Sequence, residues 1–507
     1  MTAAPARYMS AQPAGRDGFP QLLQAEWTKF RTAPGWAAGM VAAALMMVLF
    51  AVLTGISSDQ HGRPAVPVGP GGEPVTDSFY FVHRPLAGNG SISVSVSALR
   101  EYTPSDLQPV IVPWAKAGLI IKDGTRQGSP YAAIMVTSSH GVRMQYNYVN
   151  DTAGLPGPVS ATSVRWLRLD RSGDMVTGYD SADGRHWAKV GTVRVAGLGP
   201  AGQGGMFVAA PDSVHGISTS ASVATAVFAK LRIRGSWPAG NWTGDQVAAE
   251  PSSSSGNPVF APGTFTESGG TFTVTGTGDI APAVRESLGG AGVIGDILFG
   301  AFPALILVIV VGTRFITAEY EEDLIRVTLA ASPRRGRVLA AKAIVLGAVT
   351  FTAGLAGAVV AVPLGERLAR ANGVYLFPVT FATQLRVETG TAALLATASI
   401  LALAAGTMFR RSAGAVTTVI AAIVLPYLLV AQIPFMPASV ADWLTRVTPA
   451  AAFAVQGTVV PYQQVTSNYT PYNGYYPLAP WAGFAVLAGY TVLALAVAAV
   501  LLRRRDA

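Results

Sequence analysis

Apolar residues are gathered into six long runs that carry little charge. The runs cover residues 36–56, the stretch between Glu286 and Arg314, and residues 343–365, 389–409, 412–441 and 481–502. A helix needs about 20 apolar residues to cross the ~30 Å hydrocarbon core of a bilayer, so each run is long enough for one crossing. Pro426 and Pro434 interrupt the fifth run, and its helix is therefore predicted to end near Gln432. The pattern predicts an α-helical membrane protein with six transmembrane helices.

Between the first and second runs, the pattern changes to an alternation of period two. Ile92, Val94 and Val96 alternate with serines, as the residues of a half-buried strand do. Residues 227–234 alternate in the same way, and the odd-numbered positions of that run are predicted to face the core. Many such short runs, separated by Gly, Pro, Asn and Asp, favour an all-β sandwich of two sheets inserted between the first and second helices.

These two patterns divide the chain into five parts. The predicted parts are an N-terminus with an amphipathic helix (1–35), the first transmembrane helix (36–56), the sandwich (57–250), a linker with extra strands (251–288) and a membrane domain of five further helices (289–507). The amphipathic helix is inferred from Phe19, Leu23, Trp27 and Phe30, which share one helical face. That face fits either the lipid headgroup layer or a protein surface.

Composition excludes several classes of protein. The chain is 50% hydrophobic and 13% charged, and it contains no cysteine, which excludes a disordered chain, disulfides, thiolate zinc sites and a cysteine nucleophile. Residues 57–288 hold 17 basic and 17 acidic side chains, so the net charge of +8 belongs to the remainder. Because the arginines of that remainder cluster on one side of the predicted spans, they indicate membrane topology rather than nucleic-acid binding. Both termini are predicted to be cytoplasmic and the sandwich extracellular.

The insert contains two segments typical of carbohydrate-associated sandwiches. The segments at 114–122 and 179–187 resemble concanavalin A-like lectin/glucanase domains. That resemblance implies glycan binding, with Trp114, Tyr146 and Trp187 as candidate stacking residues; the alternative is that these aromatic rings fill the core. No pair of carboxylates at hydrolase spacing occurs, and neither Asp180 with Asp183 nor the scattered histidines supply a metal-ligand set. The sequence therefore predicts no enzyme and no metal site.

The segment at 314–342 carries acidic residues first and basic residues last, with a Ser-Pro-Arg-Arg turn between them. Together with the Glu-Trp-Thr-Lys run at 26–29 and the segment at 447–453, it resembles the membrane subunits of type-2 ABC exporters. In that family, this loop docks on the ATPase, which implies a coupling role here for a set of nine residues. The set is Glu319, Glu321, Leu324, Arg326, Ser332, Pro333, Arg334, Arg335 and Arg337. Asp323 departs from the family pattern, which commonly has Gly there.

The chain lacks the P-loop motif with which many ATPases bind nucleotide phosphates. No Gly-x-x-x-x-Gly-Lys-Ser/Thr motif occurs, so ATP hydrolysis is expected in a separate ABC ATPase subunit and no cofactor in this chain. The resemblance implies a homodimer or heterodimer of such membrane subunits in a bacterial cell membrane. A rival hypothesis is a membrane-anchored glycan sensor or adhesion protein that transports nothing.

Asp296 is the one charge inside the second apolar run. Eighteen residues separate it from Arg314, about 27 Å along a helix, which places it near the outer boundary of a ~30 Å core. We expect it to line a gate or lie at the interface, in preference to acting in a proton relay.

Overall fold

A computed structural model gives the fold of the chain. It describes residues 18–62, 64–103, 108–215, 218–248, 263–288, 291–322, 334–433 and 436–504. These residues form a helical bundle and a β-sandwich, and the sandwich is inserted after the first membrane-length helix. The end of the bundle that carries the sandwich is called the sandwich end below, and the opposite end is called the far end.

Ten α-helices are present in the described part of the chain. They are α1 (Phe19–Thr32), α2 (Pro34–Ser57), α3 (Ile294–Ile297), α4 (Ala301–Glu321), α5 (Arg335–Ala371), α6 (Phe381–Phe409), α7 (Ser412–Val419), α8 (Leu425–Gln432), α9 (Ala438–Val447) and α10 (Pro480–Arg504). A π-helical turn, Ile420–Val424, joins α7 to α8, and Gln432 is the last residue of α8, as predicted.

The predicted six transmembrane helices are confirmed within the described residues. The segments long and apolar enough to span a membrane are Pro34–Ser57, Ile294–Glu321, Arg335–Ala371, Phe381–Phe409, Ser412–Val430 and Pro480–Arg504. At 1.5 Å per residue, the 37 residues of α5 are about 55 Å long, which exceeds the ~30 Å hydrocarbon core. Helix α5 is therefore longer than the apolar layer is thick.

Small residues let the helices of the bundle approach closely. Gly312 of α4 faces α6, where an added Cβ would lie 2.5 Å from the carbonyl oxygen of Ser399. Gly365 of α5 similarly leaves room for the side chain of Ile297. Such contacts are the usual means of packing membrane helices, since lipid provides little hydrophobic driving force between them.

The insert consists of two seven-stranded sheets packed face to face. The first sheet has the strand order β15-β2-β11-β4-β5-β6-β7. Its strands are β2 (Phe79–Leu86), β4 (Lys116–Lys122), β5 (Tyr131–Thr137), β6 (Val142–Tyr146), β7 (Asn150–Ala153), β11 (Gly202–Ala209) and β15 (Thr243–Val247). Leu119, Ile121 and Ile134 are fully buried on the face of this sheet that meets the second sheet.

The second sheet has the strand order β10-β9-β8-β3-β14-β17-β16. Its strands are β3 (Gly90–Tyr102), β8 (Arg165–Ser172), β9 (Met175–Ser181), β10 (Ala188–Arg194), β14 (Val223–Gly235), β16 (Thr264–Ser268) and β17 (Thr271–Gly276). Ile92, Val94 and Val96 are fully buried, as their alternation predicted. Two further pairs are β1 (Val75–Asp77) with β18 (Ile280–Pro282), and β12 (Ser213–His215) with β13 (Ser218–Ser220).

The sandwich extends past residue 250, into the range predicted as a linker. Strand β17 pairs with β14 and with the edge strand β16 of the second sheet, and β18 pairs with β1. The pairing of β1 with β18 brings the chain that leaves α2 beside the chain that enters α3. The low-complexity tether predicted at 252–256 lies outside the described residues.

Strand β14 differs from its predicted alternation. The register with β3 shifts between Val227 and Phe228 and again between Ala229 and Arg232. Phe228, predicted to face outward, is fully buried in the core, whereas Leu231 packs against the core as expected. A bulge adds a residue to one strand only, so the side chains on its two sides follow different phases.

The sandwich rests on the segment that connects α9 to α10. The side-chain amide of Gln464 donates to the carbonyl oxygen of Val149 at 3.0 Å, and Asn473 donates to Glu286 at 2.6 Å. Beneath the first sheet, the ammonium group of Lys122 lies 2.7 Å from Asp77 and 3.0 Å from the hydroxyl of Tyr148, all three buried. The contacts of Gln464 and Asn473 join the insert to the bundle, and those of Lys122 hold the base of the insert together.

Candidate functional site

A charged cluster at the far end ties three helices together. The ammonium group of Lys342, on α5, lies 2.7 Å from Glu26 of α1 and 2.6 Å from Glu319 of α4. Lys29 reaches the same two carboxylates at 3.2 Å and 3.0 Å. Lys342 is fully buried, while Glu26 and Glu319 are 2% and 5% exposed. We call these four residues the far-end ion cluster.

The local sequence explains why α1 can take part in the cluster. Pro34 begins α2, and Ala33 before it is extended, because the residue preceding a proline avoids helical backbone angles. The chain therefore turns between the two helices, and α1 packs against α5. Phe30 is buried against Trp36 and Phe315, with ring centroids 6.2 Å and 5.7 Å away.

Two negative and two positive side chains balance within the far-end ion cluster. Burial alone would lower the pKa of Lys29, but Glu26 and Glu319 together raise it. A buried charge that loses its partner costs about 3–5 kcal/mol, so each member depends on the others. The cluster binds both flanks of the segment at 323–333, since Glu319 precedes that segment and Lys342 follows it.

The predicted coupling residues fall into different environments. Leu324, Arg326, Ser332 and Pro333 lie outside the described residues. Glu321 is exposed, whereas Glu319 belongs to the buried cluster and offers no free surface to a partner.

The basic residues after that segment are also not equivalent. Arg334 is exposed. Arg335 donates from Nη1 to the carbonyl oxygen of Leu502 at 2.8 Å, near the C-terminal end of α10. The guanidinium of Arg337 lies 5.9 Å from the ring centroid of Phe19. Arg335 and Arg337 therefore hold α10 and α1 against α5, and Arg334 alone of these three is presented outward.

The predicted amphipathic helix corresponds to α1. It is partly packed against other helices of the same chain. Glu26 and Phe30 are buried, while Trp27 is 47% exposed. A cavity of about 940 Å³, lined almost wholly by apolar side chains, lies between α1, α2 and α5. Trp27 and Arg31 contribute to its wall from α1.

Asp296 lies at the sandwich end and has partners. Both oxygens of its carboxylate lie 3.0 Å from Nη2 of Arg285, and one accepts the backbone N–H of Val293 at 2.9 Å. The latter bond satisfies a free N–H at the start of α3. Asp296 also lines a cavity of about 560 Å³ whose wall includes Thr54 and Asn473. The carboxylate of Asp296 is therefore held beside this cavity by an ion pair and by a helix cap.

The three candidate stacking residues lie on two different sheets. Trp114 precedes β4 of the first sheet, is 4% exposed and stacks on His140 with centroids 3.9 Å apart. Tyr146, in β6, is half-buried at the edge of the core. Trp187 follows β9 of the second sheet and is half-exposed. The structure therefore does not bring the three together: Trp114 is buried, whereas Tyr146 and Trp187 are partly exposed on different sheets.

The Asp183–Gly184 turn is held by its own hydrogen bonds. Asp183 accepts the backbone N–H groups of Arg185 and His186, and these bonds lower its pKa. Asp180 accepts the N–H of Leu155. Within the described residues, no group of three or more His, Cys, Asp or Glu side chains is placed to hold a metal ion.

Comparison with protein families decides the identity of the chain. The profile of the family described as ABC-2 family transporter protein matches residues 124–507, which include most of the insert and all helices after it. The chain belongs to the ABC-2 transporter family. No curated protein matches it.

Comparison with solved structures finds distant likenesses. Scytalido-glutamic peptidase with a transition state analog inhibitor is 6% identical, covers 39% of this chain and 98% of its own, and has a TM-score of 0.26. The GH43 protein BlXynB mutant from Bacillus licheniformis is 15% identical, covers 24% of each chain and has a TM-score of 0.17. The alginate lyase from Klebsiella pneumoniae is 14% identical, covers 29% and 59%, and has a TM-score of 0.16. At these scores the likenesses carry no argument about function.

Sequence reasoning missed two features of this ABC-2 transporter protein. Glu26, Lys29 and Lys342 were quoted as parts of motifs, but their pairing across the far end was not foreseen. A cleft of about 480 Å³ on the second sheet, beside Trp187, was also not foreseen. The sequence contained one signal for the far-end ion cluster. Glu26 lies on the apolar side of α1, where an acidic residue requires a partner.

Proposed function

We propose that the chain is the membrane-spanning permease subunit of an ABC exporter driven by a separate ATPase subunit. The far end is cytoplasmic in this proposal, and the sandwich is extracellular. Two copies of the permease, or this chain and a second permease subunit, assemble in the bacterial cell membrane. ATP chemistry belongs to the partner, and this chain needs no cofactor of its own.

The far-end ion cluster is the observation that carries the proposal. It ties α1, α4 and α5 together, and the segment at 323–333 connects α4 to α5 in the chain, so a force applied to that segment reaches three helices at once. A buried, balanced set of charges resists rearrangement, because separating its members leaves uncompensated charges. A sensor without transport activity has no need of such a mechanical connection at the far end.

Charge on the far end supports its cytoplasmic placement. Arg334 and Arg410 cap helices there, the last two residues of α10 are arginines, and Arg314 lies about two turns before the end of α4. Cytoplasmic loops of membrane proteins carry an excess of Arg and Lys. The sandwich end has balanced charge, as expected for a translocated domain.

Within this proposal, the ATPase subunit docks on Arg334, Glu321 and the segment at 323–333, where Leu324, Arg326, Ser332 and Pro333 supply the predicted coupling contacts. Glu319, Arg335 and Arg337 act through the fold, by positioning that segment. The cavity beside Asp296 is proposed as part of the exit gate. The sandwich is proposed to hold a glycan near that exit, with Trp187 as its stacking residue.

Co-expression with ABC ATPase subunits tests the proposal. We expect the full chain to retain a P-loop ATPase subunit through purification and to hydrolyse ATP only as that complex. A preparation of this chain alone that hydrolyses ATP, or a chain that retains no ATPase subunit from its own cell membrane, contradicts the proposal.

A further inference from the structure

The outward face of the second sheet contains a trough between two rows of long side chains. Ser91 and Ser93 of β3 form its floor, because a serine side chain is short. The register places Arg234 and Arg232 of β14 opposite Ser91 and Ser93 on one side. On the other side it places Asp170 and Arg168 of β8 opposite the same two serines. The result is the cleft of about 480 Å³, within the size range of small-ligand sites.

Positive charge is concentrated in this trough although the insert as a whole is neutral. Arg232 and Arg234 are exposed, and within the described residues neither guanidinium makes an ion pair. Arg168 is paired with Asp170 by three hydrogen bonds. Arg171 borders the cleft but shares the buried phase of β8 with Leu167 and Leu169, and its guanidinium donates to the carbonyl oxygen of Gly199, so its charge is not part of the outward face. Three arginines (Arg168, Arg232 and Arg234) against one aspartate (Asp170) leave the trough with a net charge of +2.

Two tryptophans form the end of the trough nearest the Asp183–Gly184 turn. Gly184 packs directly on Trp166, since an added Cβ would lie 2.6 Å from the indole ring, and its φ of +72° also favours glycine. Trp187 is half-exposed, and Arg168 lies 5.9 Å from its ring centroid. A held, partly exposed indole ring offers an apolar face and so suits the C–H face of a sugar ring.

We propose that this trough binds an anionic saccharide. One sugar ring stacks on Trp187, and the acidic group of that ring or the next is bound by Arg232 and Arg234. A neutral sugar would leave both guanidinium groups unpaired, whereas a carboxylate or phosphate matches their planar donor geometry. This proposal depends on the proposed function in one respect: that function places the trough, and therefore its ligand, on the outer side of the membrane.

The experiment is binding to the full chain in lipid nanodiscs, measured by Trp fluorescence and by calorimetry. The probes are a galacturonic acid trimer, a neutral galactose trimer, a glycerol-phosphate oligomer and a single-stranded DNA oligomer. We expect the galacturonic acid trimer to bind at least about tenfold more tightly than the neutral trimer, and more tightly than the glycerol-phosphate oligomer, which has no sugar ring to stack on Trp187. Raising salt from about 0.05 M to about 0.5 M should weaken that binding, because exposed charges are screened.

Matched variants distinguish ligand binding in the trough from attraction of the ligand by the overall charge of the sheet. The variant R232Q/R234Q should lose at least about tenfold in affinity, while R100Q/K189Q, which removes two exposed charges elsewhere on the same sheet, should not. W187A should weaken binding, and W187F should restore part of it. The glycerol-phosphate oligomer separates the contribution of the anion from that of the sugar ring, because it has no ring to stack on Trp187.

Three outcomes overturn the proposal. They are equal affinity for the charged and neutral trimers, an equal loss in R232Q/R234Q and R100Q/K189Q, and tightest binding to DNA with no effect of W187A. Retention of the ATPase subunit by R232Q/R234Q is measured in parallel. That retention should be unchanged, so a failure of the trough assignment is distinguished from a failure of the transporter proposal.

Discussion

Lys342 donates to Glu26 at 2.7 Å, although the two residues are 316 positions apart in the chain. Glu26 belongs to the helix before the first span, and Lys342 belongs to the third span. The contact therefore joins α1 to α5 at the far end of the bundle. Through this contact, Glu26 of α1 is connected to the helices that are proposed to transmit force from the ATPase.

Replacing Lys342 by Met should destabilise the bundle by about 3–5 kcal/mol, because two buried carboxylates are left with Lys29 alone. Thermal unfolding in nanodiscs measures the loss. The double variant E319Q/K342M should recover part of it, since one carboxylate and one ammonium remain in balance. K189M, at an exposed sandwich position, is the control, and an equal melting temperature for K342M and K189M would contradict the role of the cluster.

Substitutions at Arg334 and at Arg335 should have different effects. R334E should leave the melting temperature unchanged and reduce the ATPase retained on purification by at least about tenfold, because it reverses an exposed interface charge. R335M should instead lose about 1.5–3 kcal/mol of stability, because the carbonyl oxygen of Leu502 loses a charged donor. Normal ATPase retention by R334E would exclude Arg334 from the docking surface.

Glu101 should make the sandwich less stable at alkaline pH. Burial raises its pKa to about 7, above about 4.3 in an unfolded chain. Folding therefore favours the protonated carboxyl, and this contribution is complete below about pH 4.3 and lost as the pH rises through about 7. Hydrogen exchange of β3 amides between about pH 5 and about pH 8, corrected for intrinsic exchange, measures the effect.

The variant E101Q should abolish this pH dependence, whereas E267Q, at an exposed position of the same sheet, should retain it. The same loss of β3 protection in E101Q and the unaltered chain would show that another group is responsible.

Asp296 should act by position and not by proton transfer. D296N keeps an oxygen for the N–H of Val293 but loses the ion pair with Arg285, so it should lower stability and leave the pH profile of transport unchanged. ATP-driven transport by the complex in vesicles is measured across the pH range. A shifted or flattened pH profile in D296N would support a proton relay instead.

The sequence predicted the six spans because each is a long, nearly uncharged run, and the length of such a run alone decides the matter. It predicted the sandwich because short runs alternate in phase with a pleated sheet. Phe228 was placed on the wrong face because a bulge shifts the register in mid-strand, and the shift leaves no mark in the pattern of polar and apolar residues.

The candidate sites were harder to predict because they depend on contacts between distant positions. Trp114 and Trp187 look equivalent as aromatic residues near strands, yet one is buried against His140 and the other lines a trough. Arg232 and Arg234 were assigned only as outward residues of a strand. Arg232 and Arg234 line the same trough as Trp187 because β9, β8, β3 and β14 follow one another in the sheet. The alternation of apolar and polar residues does not determine that order.

The central claim is that the far end and the sandwich lie on opposite sides of the membrane, with the far end open to a cytoplasmic ATPase. Since the chain contains no cysteine, single substitutions E321C and K189C report on each side directly. A membrane-impermeant maleimide should label K189C in intact cells and should label E321C only after permeabilisation. Labelling of both positions in intact cells would place the proposed docking surface outside the cell and contradict the transporter account.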